Sequence, residues 1–210
     1  MNARHSKKIV PEMGRRERRR IETREKLYRT AMELFAKRGF FATTTEDITD
    51  AADVGQGTFF NYFPTKSHVL IVLFEKQRDK IATAEREAEG GKLPIRDVLL
   101  RFIHSIVEEL SPSQALTRSL LTAFASQDEV RGLVTDTLSQ GRKHLGRICE
   151  MGQERNEIRR DRKPADLAMA FQRSVLGTLL IWAMQSKGDL HTRLSKTLED
   201  FWALAGEKKA

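Results

Sequence analysis

The sequence predicts an all-α fold, and three observations carry that reading. Five prolines and thirteen glycines in 210 residues are few for an all-β chain with its many turns. Leu, Ala, Glu, Arg and Lys, which lose little on entering a helix, are abundant. Apolar residues recur at helical spacing between the punctuating glycines and prolines. A chain of this length holds one ordinary domain with a real core, or a small module joined to a larger one.

The first helical rhythm begins at Ile21. Ile21, Leu27, Ala31, Leu34 and Phe35 share one face, Arg24, Lys26, Arg29 and Lys37 fall mostly on the other, and Gly39 is placed to stop the helix. Thr43-Thr44-Thr45-Glu46-Asp47 reads as the next start, because a threonine hydroxyl caps free N–H groups and early acids suit the positive end of the helix dipole. Ile48, Ala51 and Ala52 give this helix a small inner face, and Asp53-Val54-Gly55 breaks it. A third helix runs from Gln56 to Phe63 and is closed by Pro64. Of its aromatic residues, Phe59 and Phe63 are expected in the core. Two short helices about a three-residue turn form the helix-turn-helix pattern, which ordinary bundles also contain.

A long helix follows over 65–89, apolar at Val69, Leu70, Val72, Leu73 and Phe74 and increasingly charged afterwards. Gly90-Gly91 ends it and is the best candidate for a domain boundary. Further helices are expected over about 93–110, 113–125, 127–153, 164–187 and 189–205, with Pro164 in a first turn and Gly188-Asp189 as a stop and a new N-cap. No internal repeat is evident.

The net charge of +8 is unevenly placed. Residues 1–20 carry eight basic residues against Glu12 and Glu17, so the rest of the chain is nearly neutral. Such an arm is the footprint of a polyanion binder, although a solvated, disordered terminus carries the same charge. Cys149 is the only cysteine, which excludes an internal disulfide and a cysteine-based zinc site and fits a reducing cytosol. No apolar stretch follows the first basic residues, so no secretory signal is expected. The longest apolar run, Val175 to Met184, is about half of the roughly 20 residues that cross a bilayer, so no membrane partner is expected. There is no Gly-rich phosphate loop, no His-Glu-x-x-His pattern and no serine nucleophile elbow, and the five histidines are scattered. No catalytic residue, metal or cofactor is therefore expected.

The stretch Ala42-Thr43-Thr44-Thr45-Glu46-Asp47-Ile48-Thr49-Asp50-Ala51-Ala52-Asp53-Val54-Gly55-Gln56-Gly57-Thr58-Phe59-Phe60-Asn61-Tyr62-Phe63, followed by Lys66, resembles the DNA-binding signature of the TetR family of transcriptional regulators (TetR/AcrR type). Leu34-Phe35-Ala36-Lys37-Arg38-Gly39-Phe40 resembles the end of that family's first helix. The match covers roughly residues 21–74; the remaining helices agree in number and length only. The resemblance implies a three-helix N-terminal DNA-binding domain, a linking fourth helix and a C-terminal helical bundle for ligand binding and dimerisation. On that basis residues 1–20 are expected to be a basic, disordered arm, 21–66 the helix-turn-helix domain and 67–210 the effector-binding and dimerisation domain.

The third helix would then enter a major groove of operator DNA. Gln56 and Asn61 carry amides that read base edges, Phe60 can touch a thymine methyl and Gly57 permits close approach. By the same resemblance Thr45, Thr58, Tyr62 and Lys66 would hold phosphates. Arg15, Arg16, Arg18, Arg19 and Arg20 would run along the backbone or enter the minor groove. Glu46 is set aside because its charge opposes phosphate contact. Three positions depart from the family pattern: Asp53 where glycine is usual, Gly55 where a capping hydroxyl is common, and Phe60 in place of tyrosine. These bear on sequence preference more than on DNA binding.

The implied function is a homodimeric regulator, a repressor released from its operator by a small apolar effector. It would be bacterial, cytoplasmic and nucleoid-associated when bound. The alternative is a DNA-bound structural or partner-binding protein without an effector; a cavity in the C-terminal core would favour the former and a solid core with an exposed patch the latter. Candidate pocket residues are Phe102, Ile106, Leu120, Phe124, Phe171, Val175 and Trp182, with His104, His144, Ser174 and Thr178 as polar contacts. The helix over 164–187 is apolar nearly all round and the last helix carries an apolar stripe. As the resemblance implies, Phe171, Val175, Leu179, Trp182, Leu194, Leu198 and Phe201 are expected at a four-helix dimer interface, with part of the stripe packing internally.

Overall fold

The computed structural model describes residues 14–110, 113–185 and 188–207, all helices and connecting turns. Arg4, Lys7 and Lys8 of the basic arm lie outside the described residues. The first helix, α1, spans Arg15–Arg38 and so begins one turn and a half before Ile21. Arg15 to Arg20, expected in a disordered arm, are helical instead. Arginine is a strong helix former, Glu17 sits in the first turn where an acid suits the dipole, and the Arg20 guanidinium lies 3.9 Å from it. Gly39 stops the helix at φ 87°, its N–H donating to Phe35 O at 3.0 Å.

Helix α2 (Thr45–Ala51) is started by a complete capping box. The Thr44 hydroxyl accepts from the Asp47 N–H at 3.0 Å, and the Asp47 carboxylate accepts from the Thr44 N–H at 2.9 Å. The turn to α3 (Gln56–Tyr62) passes through Asp53 at φ 50°, the left-handed region that aspartate tolerates better than most residues. Asp53→Val is expected to lower stability by about 1–2 kcal/mol, read as a reduced urea midpoint, because a β-branched side chain cannot take that backbone without strain.

A single 3-10 turn, Lys66–His68, precedes α4 (Val69–Glu89), so the long helix starts later than Thr65. Then come α5 (Ile95–Leu110), α6 (Gln114–Ser126), α7 (Asp128–Glu154), α8 (Pro164–Met184) and α9 (Leu190–Ala205). Pro164 occupies the first turn of α8, and the Asp189 carboxylate caps α9 through the Thr192 N–H at 2.8 Å. Among the described residues there is no strand beyond one isolated antiparallel bridge, Ile158 to Gly206, which clips the segment after α7 to the end of α9.

Two cores divide the chain. The first joins Leu27, Phe35, Ile48, Phe59, Phe63 and Leu70 with Leu116, Leu120, Ala123 and Val130 of α6 and α7. The second runs from Ile81 through α5, α7, α8 and α9. The change of core falls inside α4, between Phe74 and Ile81, and not at Gly90-Gly91. Those glycines end the helix, but α4 belongs to both bodies and binds them together.

The seven residues expected at a dimer interface, Phe171, Val175, Leu179, Trp182, Leu194, Leu198 and Phe201, are all buried within the chain's own second core. An apolar stripe on each of two neighbouring helices first covers its partner and α5. What α8 leaves outside is the other side of its circumference: Leu176, Leu180, Ile181 and Met184, the last two 54% and 72% exposed; Leu204 near the end of α9 is exposed as well. By length and composition α8 is apolar enough to cross a bilayer, with a mean hydropathy of 1.4 over its best window, more than the ten-residue run suggested. Its core residues pack in the protein interior, which is the ordinary cause of such a composition.

Candidate functional site

The helix-turn-helix holds α3 on the surface by burying one side of it. Phe59 is fully enclosed and Phe63 nearly so, their rings 5.6 Å apart, while Tyr62 is half-buried against the same core. The remaining face of α3 presents Gln56, Gly57, Phe60 and Asn61 to solvent, with Thr58 half-buried at its edge. No atom stands within 4 Å of where a Gly57 side chain would begin, so that surface is open to a close neighbour. A half-exposed phenylalanine beside two exposed polar side chains suits a surface that is covered only in a complex.

Glu46, set aside in the sequence, joins this surface by holding Gln56. Its carboxylate accepts from Gln56 Nε2 at 3.0 Å and from the Thr45 hydroxyl at 3.2 Å. The hydrogen bond from its own backbone N–H and that of the Thr45 hydroxyl hold its carboxyl below the ordinary range. One amide hydrogen of Gln56 and its carbonyl oxygen remain for a base edge. The signal was an acid ten residues before a glutamine, visible only once the two helices are folded together.

Lys66 is placed differently from an exposed phosphate contact. Its ammonium donates to the carbonyls of Phe40 and Thr43, both at 2.6 Å, and lies 4.5 Å from the centre of the Phe40 ring. Burial pushes its pKa down, opposed by the charge of Asp47. Two of its three hydrogens thus tie the loop before α2 to the turn before α4, leaving one for an anion. The five arginines of the first turns of α1 are exposed, and Arg24 beyond them pairs with Glu75 at 2.9 Å and lies over the Phe63 ring.

A second feature lies beneath. A cavity of about 610 Å3 is walled by α4, α5, α6, α7 and α8. Of the sequence candidates, Phe102, Ile106, Leu120, Phe124, Phe171 and Val175 line it. The others are engaged elsewhere. His104 Nε2 hydrogen-bonds the Ser195 hydroxyl at 2.9 Å, and the Trp182 indole donates to Gly188 O at 2.8 Å. His144 pairs with Glu85, Ser174 donates to Ala170 O, and Thr178 bonds Thr197. Sequence reasoning missed Leu73, Phe74, Gln77, Arg78 and Ile81 on α4 and Thr117 on α6, because which face of a linking helix meets a cavity depends on how the bundle closes.

Two polar atoms in this wall, Gln77 Nε2 and the Thr117 hydroxyl, are buried without a hydrogen-bond partner among the described residues. Such atoms cost free energy until something bonds to them. Thr117→Val is expected to raise the stability of the empty protein by about 1 kcal/mol, seen as a higher melting temperature, since it removes an unpaired hydroxyl at nearly constant shape.

The cavity wall touches the helix-turn-helix directly. The Phe40 N–H donates to Ser119 Oγ of α6 at 2.7 Å, and Leu120 lies in the first core while lining the cavity. At the far end of α4 the buried Glu85 binds His144 and Arg147 of α7. Cys149 is buried, which pushes its thiol up to about 12, so it is no ready nucleophile.

An exposed short helix on a helix-turn-helix frame, carried by a larger helical body, is the arrangement that DNA-binding regulators use. Residues 27–73 match the family model described as bacterial regulatory proteins, tetR family. The chain is 29% identical over 163 residues to the HTH-type transcriptional repressor DhaR of Mycobacterium sp. (strain GP1), covering 77% of this chain and 82% of DhaR. It is 24% identical over 187 residues to the repressor KstR of Rhodococcus jostii (strain RHA1), covering 85% and 82%. Its fold is similar to that of SmeT, the repressor of the Stenotrophomonas maltophilia multidrug efflux pump SmeDEF, in a complex with triclosan, with a TM-score of 0.73, 20% identity and coverage of 89% and 93%. Residues 27–73 carry the tetR-family match, and the chain is a DNA-binding transcriptional regulator, similar over most of its length to HTH-type repressors.

Proposed function

We propose that this protein is a cytoplasmic, dimeric repressor that leaves its operator when a small, largely apolar molecule enters the cavity. The observation that carries the reading is the double membership of α4 and α6: both wall the cavity, and both pack in the core that holds α3. A ligand that repositions either helix shifts the helix-turn-helix with it, and binds better to whichever arrangement has the wider cavity. The repressors DhaR and KstR support repression, and the triclosan complex of SmeT supports an apolar effector. The cavity favours this reading over a DNA-bound partner-binding protein without an effector.

In this reading Gln56, Gly57, Phe60 and Asn61 read base edges, with Gln56 aimed by Glu46. Thr45, Thr58, Tyr62 and the remaining hydrogen of Lys66 hold phosphates, and Arg15, Arg16, Arg18, Arg19 and Arg20 extend the basic surface along the backbone. DNA binding belongs to the chain up to residue 66, and effector binding and dimerisation to the rest. Leu180, Ile181 and Met184 of α8, with Leu204 of α9, meet the same residues of a second copy about a two-fold axis.

The test has two steps. Binding of the full chain to DNA upstream of its own gene and neighbours is measured over a salt series, with Tyr62→Ala beside it. Compounds from an apolar library that raise the melting temperature are then added to the complex. Specific binding, weakened by Tyr62→Ala and reversed by a stabilising compound, is the expected result. If every compound that stabilises the protein leaves operator affinity unchanged, release by an effector is wrong and the partner-binding reading replaces it.

A further inference from the structure

We infer that Glu46 makes Gln56 a reader of adenine, so that guanine is rejected at the base pair Gln56 meets. The inference rests on the reading above that α3 enters the major groove, and it adds the base that one position selects. Gln56 is the first residue of α3 and is exposed, and Glu46 lies in the first turn of α2, on the other side of the turn between the two helices. Glu46 Oε1 accepts from Gln56 Nε2 at 3.0 Å, and Glu46 Oε2 accepts from the Thr45 hydroxyl at 3.2 Å. The carboxylate is thus held at both oxygens, and it in turn holds the amide.

A glutamine amide offers two donor hydrogens and one acceptor oxygen. Guanine presents two acceptors, N7 and O6, to the major groove, so a bidentate contact with it uses both hydrogens. Adenine presents the acceptor N7 and the donor N6, so the contact uses one hydrogen and the oxygen. Glu46 takes one hydrogen of Gln56, and the pair of donors that guanine requires is no longer available. What is left, one hydrogen and one oxygen, is the complement of adenine. Turning the amide over does not restore the guanine contact, because it sets the amide oxygen against the carboxylate, two acceptors with no hydrogen between them. Glu46 is therefore a positioning residue, and its effect on sequence preference passes through Gln56.

The experiment selects sites from a random-sequence duplex library with the full-length protein, Glu46→Ala, Gln56→Ala and the double variant. Fluorescence anisotropy then compares adenine with guanine at the affected position of the selected site. The native protein is expected to select an adenine that Gln56→Ala no longer distinguishes, and to prefer it to guanine by about tenfold or more, as a bidentate contact does. Glu46→Ala is expected to reduce that preference to about threefold or less, with the other positions of the site and the thermal melt unchanged. In the Gln56→Ala background, removing Glu46 should change nothing further at this position. If Glu46→Ala keeps the preference, if the base lost with Gln56→Ala is not adenine, or if Glu46→Ala still shifts the preference without Gln56, the inference is overturned while base reading by α3 stands. If Gln56→Ala alters no position of the site, base reading by Gln56 is wrong and the inference falls with it. If the native protein enriches no sequence, the operator-binding reading falls as well.

Discussion

Phe60→Asp is expected to reduce operator affinity by about a hundredfold or more while leaving the fold intact. The two effects separate because of where the ring sits. Phe60 is 50% exposed on the outer face of α3, touching Phe59 edge-on with ring centres 5.5 Å apart, so the core that holds the helix does not depend on it. A surface substitution of this kind changes stability by no more than about 0.5 kcal/mol. Against DNA the same change removes an apolar contact and sets a carboxylate among phosphates, a like-charge juxtaposition that costs several kcal/mol. Fluorescence anisotropy with the upstream DNA, together with a thermal melt, checks both halves. An aspartate variant that bound DNA like the native protein would show that this face of α3 does not enter the groove.

Glu85→Gln is expected to lower stability by about 2 kcal/mol at neutral pH, and the difference should vanish in acid. Glu85 is buried between α4 and α7, its side chain 9% exposed, with His144 on one oxygen and Arg147 on the other at 3.0 Å. Burial pushes its carboxyl up, and the hydrogen bonds and charges of His144 and Arg147 together outweigh this, so it titrates below its ordinary 4.5. A carboxyl depressed in the folded state stabilises above its unfolded pKa, and that contribution is lost as pH falls through the folded value. The native protein should therefore lose its advantage over the glutamine variant below about pH 4.5. The magnitude is smaller than for a fully enclosed pair because Arg147 is 63% exposed and screened by water. Urea titrations of both proteins from pH 7 to pH 3 read it; a constant difference across that range would mean that the charge of Glu85 is not what joins the helices.

In the proposed mechanism the same pair bears on function, because α4 carries the helix-turn-helix at one end and Glu85 near the other. A loosened distal end lets the helix pivot more readily. A weaker bond to α7 is therefore a route by which α4 could change its population of arrangements without any change in the cavity.

Most of the fold was legible in the sequence. Helix starts and stops are local chemistry: Thr44 and Asp47 at α2, Gly39 after α1, Pro164 and Asp189 at α8 and α9 are marked by residue types whose preference depends on their own backbone. The exposed face of α3 was legible for a related reason, since Phe59 and Phe63 must go inward and the positions between them are left outside. The first turns of α1 were misjudged because charge density and helix propensity point in opposite directions for a run of arginines.

What the sequence by itself determined was the class of the fold, the order of its helices and the face of α3 left exposed, because periodicity and capping act within a few residues. Which side of α8 faces out, where one core gives way to the other along α4, and that α4 and α6 wall one cavity were decided only by the tertiary structure. A helix that is apolar all round has no inside until its neighbours take their places, and residues far apart in sequence come to line one cavity only when the bundle closes.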